Sequence, residues 1–206
     1  MIQTEIYDQL KKYNSLQSEY KYRFQNYAVS NNFPVIYEDA LQFLIWFSKI
    51  TQPKSILELG TGFGFMAYHL LKSNPDAKLT GVDYTSDNFD VFKSMKPESE
   101  ILSRYRFIEA NVMYWISALE EKYDWIIIDC DKKYYPLLIE PCLEKLNSGG
   151  FLIADNVLWK GMIVDVEKKS KVEPILEFNS LIANHPRLES VIVPIGDGIS
   201  LSRKLG

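Results

Sequence analysis

The sequence predicts an open α/β fold, a parallel sheet covered by helices on both faces, and three observations point to it. From Ser55 to Lys204 strand-length apolar runs alternate with helical patterns, which is how parallel strands and their crossover helices read in sequence. Two runs, Tyr123-Asp124-Trp125-Ile126-Ile127-Ile128-Asp129 and Gly149-Gly150-Phe151-Leu152-Ile153-Ala154-Asp155-Asn156, stop abruptly in carboxylate or amide oxygens. Strands buried on both faces do this when they deliver polar groups to the carboxyl edge of a sheet. A third run, Ile56-Leu57-Glu58-Leu59, enters the tight turn Gly60-Thr61-Gly62-Phe63-Gly64 and then a helix, Phe65 to Leu71.

Taken in order, residues 2 to 24 carry Ile2, Ile6, Leu10, Tyr13, Leu16 and Tyr20 at helical spacing, a stripe suited to packing on the domain or on a second subunit. A second helix is expected from near Pro34 through Ile36, Ala40, Phe43, Leu44 and Phe47, with Pro53 terminating it. Strands are expected at Ser55 to Leu59, Lys78 to Val82, Arg106 to Ile108, Asp124 to Ile128, Phe151 to Ala154, Val191 to Pro194 and Ile199 to Ser202, with helices between them. Tyr84 to Tyr105 is polar and interrupted by Pro97, so a short or irregular helix and a mobile loop are expected there. Lys160 to Lys171 reads as an exposed, charged loop.

With 206 residues, 47% of them hydrophobic, the chain has the length and apolar content of one domain with a sizeable core. Residues 1–206 are therefore read as a single domain in which 1–33 form an N-terminal helical extension. A net charge of −4 gives no global basic footprint for nucleic acid or an anionic membrane. Cys130 and Cys142 have no metal-ligand spacing, Cys130 is expected in a buried strand end, and free thiols in a reducing compartment follow. The first residues lack the apolar stretch of a signal peptide, and the longest apolar run, Phe43 to Phe47, is too short to span a bilayer. A cytoplasmic protein is the expectation.

The chemistry lies at the strand ends. Asp129, Asp155 and Asn156 are the hard-oxygen ligand types that Mg²⁺ or Ca²⁺ prefers, and Lys132 follows close behind the first of them. The alternative is that Asp129 caps a helix and Asp155-Asn156 is a turn; the glycine loop upstream favours a site. That loop lacks the third glycine of a dinucleotide fingerprint, since Phe65 stands there. Its compressed Glu-x-Gly-x-Gly-x-Gly form suits a nucleoside with a cationic amino-acid tail. Asp83, ending the next strand, could accept both ribose hydroxyls, or could merely cap the strand. His69 and His185 are isolated and receive no role.

Three blocks, ILELGTGFGF, YDWIIIDCDKKYYPLLIEPCLEKLNSGGFLIADNVLWKGMIVD and FNSLIANHPRLESVIVPIGDGISLSRK, resemble the cation-dependent class I S-adenosylmethionine O-methyltransferases of the catechol and caffeoyl-CoA group. The resemblance covers nearly all of the chain after about residue 32. It implies a Rossmann-like class I methyltransferase fold, with a seven-stranded, mostly parallel sheet whose last strand is antiparallel, and often a homodimer. It also implies roles by motif position. Asp129, Asp155 and Asn156 look like metal ligands, for Mg²⁺ above Mn²⁺ or Ca²⁺, and Lys132 like the general base. Glu58, Gly60, Thr61, Gly62 and Gly64 look like the S-adenosylmethionine loop, to which Asp129 also contributes, and Asp83 like the ribose anchor.

Two positions depart from the family pattern. Met66 stands where a small hydroxyl residue usually binds the cofactor carboxylate, and Asn111 where an Asp usually recognises adenine, so weaker cofactor binding is expected. Trp159, on the loop after the metal ligands, is the first candidate to wall a flat phenolic ring, with Tyr134 or Tyr135 next. A small phenolic substrate leads. Methylation of a hydroxyuridine in tRNA is the second reading, with Lys11, Lys12, Lys21, Arg23, Lys93, Lys96, Arg104 and Arg106 as a phosphate-tracking face. An S-adenosylmethionine-binding module without transferase activity is the third.

Overall fold

The structure is a computed structural model and describes residues 9, 13, 19–164 and 169–206. Seven strands form one sheet: β1 (Ser55–Leu59), β2 (Lys78–Asp83), β3 (Tyr105–Glu109), β4 (Tyr123–Ile128), β5 (Leu146–Ala154), β6 (Leu188–Val193) and β7 (Ile199–Lys204). Their order is β3-β2-β1-β4-β5-β7-β6, parallel from β3 through β5, with β7 inserted antiparallel between β5 and β6. The chain reverses its direction of strand addition between β1 and β4, which opens a crevice at the carboxyl ends of those two strands.

Alternation along each strand sorts the apolar side chains between two cores. Ile56, Trp125 and Ile127 face one side and Leu57, Ile126 and Ile128 the other, so these strands need apolar residues at every position. The first side is covered by α1 (Glu19–Ser30), α2 (Glu38–Thr51), α3 (Phe65–Ser73), α4 (Asp87–Ser94) and α5 (Ser99–Arg104), through Phe24, Leu44, Leu70, Phe92 and Ile101. The second is covered by α6 (Val112–Ala118), α7 (Tyr135–Lys145) and α8 (Lys169–Ala183), through Ile116, Leu138 and Phe178.

Several expectations are revised. The helix expected near Pro34 starts at Glu38, because Pro34 disfavours helical backbone in the residue before it and Tyr37 is still extended, at φ −61° and ψ 142°. It stops where Gln52 turns left-handed just before Pro53. The segment Tyr84 to Tyr105, expected to hold a short or irregular helix and a mobile loop, holds two short helices, α4 and α5, with Phe92 and Ile101 fully enclosed. β5 begins at Leu146, earlier than expected, because the glycine pair lies inside it. The register with β4 shifts there, and a Cβ on Gly150 would approach the Asp124 carbonyl to 2.7 Å. Cys130 lies just beyond β4 and is half-buried. Of the N-terminal stripe, Tyr13 is exposed and Ile2, Ile6, Leu10 and Leu16 lie outside the described residues. In the Lys160 to Lys171 region, read as an exposed loop, Lys160, Gly161, Val164 and Lys171 are exposed. Trp159–Val164 form a short 3₁₀ segment whose Ile163 packs on the core, and 165–168 lie outside the described residues.

Candidate active site

Strand register builds the site. Leu59 sits level with Val82 on one side and Ile128 on the other, and Ile128 sits level with Ala154. The next residues, Asp83, Gly60, Asp129 and Asp155, therefore form one row across β2, β1, β4 and β5. Backbone bonds continue the ladder past the strands, from Gly60 N–H to Val82 O (2.8 Å), Asp129 N–H to Leu59 O (2.9 Å) and Asp155 N–H to Ile128 O (3.2 Å). Gly60 is required in this row. It has φ +93°, and a Cβ there would overlap the Asp129 carbonyl.

The row floors a cavity of about 850 Å³. Glu58, Gly60, Thr61, Gly62, Asp83 and Asn111 lie around it, as do Asp129, Lys132, Asp155, Asn156 and Trp159, and residues 33–37, between α1 and α2, also line it. Of the sequence-predicted site residues, Gly64 and Tyr135 do not line the cavity. Gly64 instead starts α3 at φ 78°, with Phe92 packed where its Cβ would be.

In the glycine loop, the buried Glu58 carboxylate accepts from Thr61 Oγ1 at 2.6 Å, and Tyr105 OH lies 2.8 Å from the same hydroxyl. With the Thr61 proton committed to Glu58, Tyr105 is the donor in that second bond. Burial holds the Glu58 carboxyl well above the usual carboxylate range, with the Asp129 and Asp83 charges adding to it. Asp83 accepts from Gly62 N–H (2.8 Å) and Tyr84 N–H (2.9 Å), yet burial outweighs these bonds and raises its pKa. Tyr105 carried no signal in the sequence. Gly81 carried a weak one, since glycine inside a strand marks a close approach, and here a Cβ would lie 2.7 Å from both Thr61 Oγ1 and Tyr105 OH.

At the other end, Asp131 caps the 3₁₀ turn Lys132–Tyr134 and turns Lys132 back over the row. Lys132 Nζ donates to Asp129 Oδ1 at 3.3 Å and to Tyr135 OH at 2.7 Å, and its side chain is only 17% exposed. Lys133, an equally basic competitor in sequence, pairs with Asp131 at the surface, 2.7 Å away. Tyr135 is not a ring wall. It is fully buried, and its hydroxyl lies 3.0 Å from both Ile128 O and Asp155 O, tying the ends of β4 and β5 beneath Lys132. Tyr134 and Trp159 do line the cavity.

Burial raises both Asp129 and Asp155, partly countered at Asp129 by Lys132 and reinforced at Asp155 by the Asp129 charge. Asp197, buried and absent from the sequence expectations, adds to the negative field at Asp155. Among the described residues no group of three His, Cys, Asp or Glu stands ready for a metal. The donor set is two acids and the Asn156 amide, all oxygen, with more negative charge than Lys132 balances. That fits a hard divalent cation.

Met66 is buried in the first turn of α3, and Asn111 caps α6 by accepting from Met113 N–H at 3.0 Å. Cys130 and Cys142 are free, and burial pushes the Cys130 thiol up to about 12. The basic face postulated for tRNA is largely engaged internally. Arg104 donates to Leu71 O, Asn74 O and Ala77 O, Lys93 pairs with Asp90, and Arg106 with Glu121. Lys11 and Lys12 lie outside the described residues, as does the side chain of Lys21.

Residues 11–205 match the family model for O-methyltransferases. The chain belongs to the O-methyltransferase family. Among its family relatives, the tapetum-specific methyltransferase 1 of Arabidopsis thaliana is 27% identical over 192 residues, covering 88% of this chain and 82% of the relative. Caffeoyl-CoA O-methyltransferase 5 of Nicotiana tabacum is 28% identical over 182 residues, covering 81% and 75%. An O-methyltransferase structure from Bacillus cereus in complex with SAH superposes with a TM-score of 0.82 at 20% identity, covering 98% of this chain and 97% of that one. The O-methyltransferase fold of this chain is thus the expected Rossmann-like sheet, with β7 as its antiparallel insertion. No helix among the described residues is long and apolar enough to cross a membrane.

Proposed function

We propose that this O-methyltransferase takes its methyl group from S-adenosylmethionine and places it on a hydroxyl of a small catechol-like substrate, with a divalent cation, Mg²⁺ first, as cofactor. The observation that supports this reading is the row Asp83, Gly60, Asp129, Asp155, three acids and a glycine level with one another beside one cavity. Asp83 accepts from the ribose hydroxyls, and the backbone of Gly60 to Gly62 lies against the amino-acid tail. Asp129, Asp155 and Asn156 hold the cation. When bound, it supplies Lewis-acid stabilisation of the ionised substrate oxygen and a template for its vicinal partner.

Methyl transfer to a phenolic oxygen demands alignment and an anionic nucleophile. Lys132 Nζ takes the phenolic proton, steered by its bonds to Asp129 and Tyr135. Trp159 and Tyr134 wall the ring. The caffeoyl group in the name of the Nicotiana relative carries two vicinal hydroxyls, which supports this substrate class. The test is release of S-adenosylhomocysteine with 3,4-dihydroxybenzoate or caffeate, with Mg²⁺ and with EDTA. Mg²⁺-dependent turnover is the expected result. Cofactor binding without turnover on any vicinal diol phenol would overturn the substrate class and make hydroxyuridine-containing tRNA the next substrate.

A further inference from the structure

We propose that Asp197, in the turn between β6 and β7, is a positioning residue that clamps the loop bearing Asn156 and Trp159. The inference rests on the reading above, in which Asn156 serves the cation and Trp159 the substrate. Asn156, Trp159 and Lys160 all have left-handed backbone, at φ 60°, 41° and 54°. Residues with side chains seldom adopt that region, and it persists where surrounding structure imposes it. Local bonds are few: Asn156 N–H to Asp155 Oδ1 at 2.7 Å, Trp159 N–H to Asn156 O at 3.1 Å and Gly161 N–H to Leu158 O at 3.0 Å.

The other restraints come from two segments remote in sequence: α8, where Asn179 Nδ2 donates to Val157 O at 2.9 Å, and the turn before β7. Val157 N–H donates to Gly198 O at 3.1 Å, Leu158 N–H to Asp197 O at 3.0 Å, and Lys160 N–H to the Asp197 carboxylate. Gly198, at φ +85°, has no room for a side chain because Leu158 fills that space. The antiparallel placement of β7 against β5, with Ala154 level with Ser200, brings the two segments together. Asp197 is 6% exposed and lines the same cavity as Asp155. Its carboxylate holds the left-handed Lys160 and thereby fixes the direction of Trp159.

Two substrate-free experiments and one kinetic experiment test this. In wild-type protein, hydrogen exchange resolved to single amides is expected to show Lys160 protected together with Val157 and Leu158. An unprotected Lys160 amide overturns the clamp, and this arm decides even if the variants do not fold. In protein labelled with 5-fluorotryptophan, the Trp159 resonance, assigned through Trp159→Phe, is expected to move in Asp197→Ala and to return in Asp197→Asn, which keeps an oxygen acceptor. The resonances of Trp46, Trp115 and Trp125 are expected to stay in place. With a catechol substrate, Asp197→Ala is expected to raise KM roughly tenfold, the scale of one orphaned donor, with affinity for S-adenosylhomocysteine unchanged. A stationary Trp159 signal, or Asp197→Asn as impaired as Asp197→Ala, overturns the proposal. Wild-type protein that turns over no catechol counts against the functional reading alone, because the exchange and fluorine arms need no substrate.

Discussion

Asp124 and Asp129 stand at opposite ends of β4, and the two carboxylates live in opposite surroundings. Asp124, at the amino edge, accepts from Lys54 N–H at 2.8 Å, Ser55 N–H at 3.0 Å, Ser55 Oγ at 3.2 Å and Asn147 Nδ2 at 2.8 Å. Partial burial alone would raise its pKa, but these donations win and hold it below the usual range. Asp129, at the carboxyl edge, has a single long bond from Lys132 and is held above that range by burial. Asp83 and Asp155, in the same row, are raised too. The contrast separates two uses of one residue type. An acid whose donors outweigh its burial holds structure together, whereas acids at a cavity whose burial outweighs their donors are poised for a ligand.

Removing a carboxylate from each edge should give unlike failures. Asp155→Ala is expected to lower Mg²⁺-dependent turnover by about 100-fold or more, in line with the loss of a metal ligand, while titration still shows S-adenosylhomocysteine binding. Retained turnover would place the cation elsewhere. Asp124→Ala should leave activity per folded molecule intact and lower unfolding free energy by about 2–3 kcal/mol, because several donors lose their acceptor; denaturant melts read this directly.

The edges should also answer pH with opposite signs. A depressed folded pKa at Asp124 contributes stability above the unfolded carboxylate value of about 3.9, lost as pH falls through the folded pKa. A raised folded pKa at Asp83 contributes stability below about 3.9, lost as pH rises through the folded value. Relative to wild type, Asp124→Asn should therefore close its stability deficit in acid, whereas Asp83→Asn should improve as pH rises from about 4. Equal slopes in thermal melts across that range would erase the distinction. The smallest effect belongs to Asn111→Asp. It keeps the cap on Met113, adds charge beside the proposed adenine, and should tighten S-adenosylmethionine binding by about two- to fivefold. No change on titration would remove Asn111 from the adenine contact.

The parts readable from sequence were those in which neighbours along the chain act together. β1 and β4 announced themselves as unbroken apolar runs because both faces of the sheet are covered, and the row of acids followed from where those runs stop. Met66, singled out for a missing hydroxyl, is buried in the core and also lines the cavity. Other features were hidden because they depend on pairing across the fold. Tyr105 reaches Thr61 from β3, and nothing near Tyr105 in sequence signals it. Asp197 reaches Lys160 only because β7 lies antiparallel beside β5. Tyr134 and Tyr135 are neighbours of equal chemistry, and only the start of α7 decides which ring is buried. The Tyr84 to Tyr105 segment read as one short or irregular helix and a loop because each of its two helices is too short to show a periodic stripe.

The insertion of β7 between β5 and β6 bears on the order in which the protein matures. The glycine loop, Asp83 and Asn111 sit on β1 to β3 and the connections after them, early in chain order. The loop bearing Asn156 and Trp159 takes its remote restraints from Asn179 on α8 and from residues 197 and 198, all late in chain order. In chain order, the residues that restrain the end of the cavity bearing Asn156 and Trp159 are thus made after those that shape its glycine-loop end.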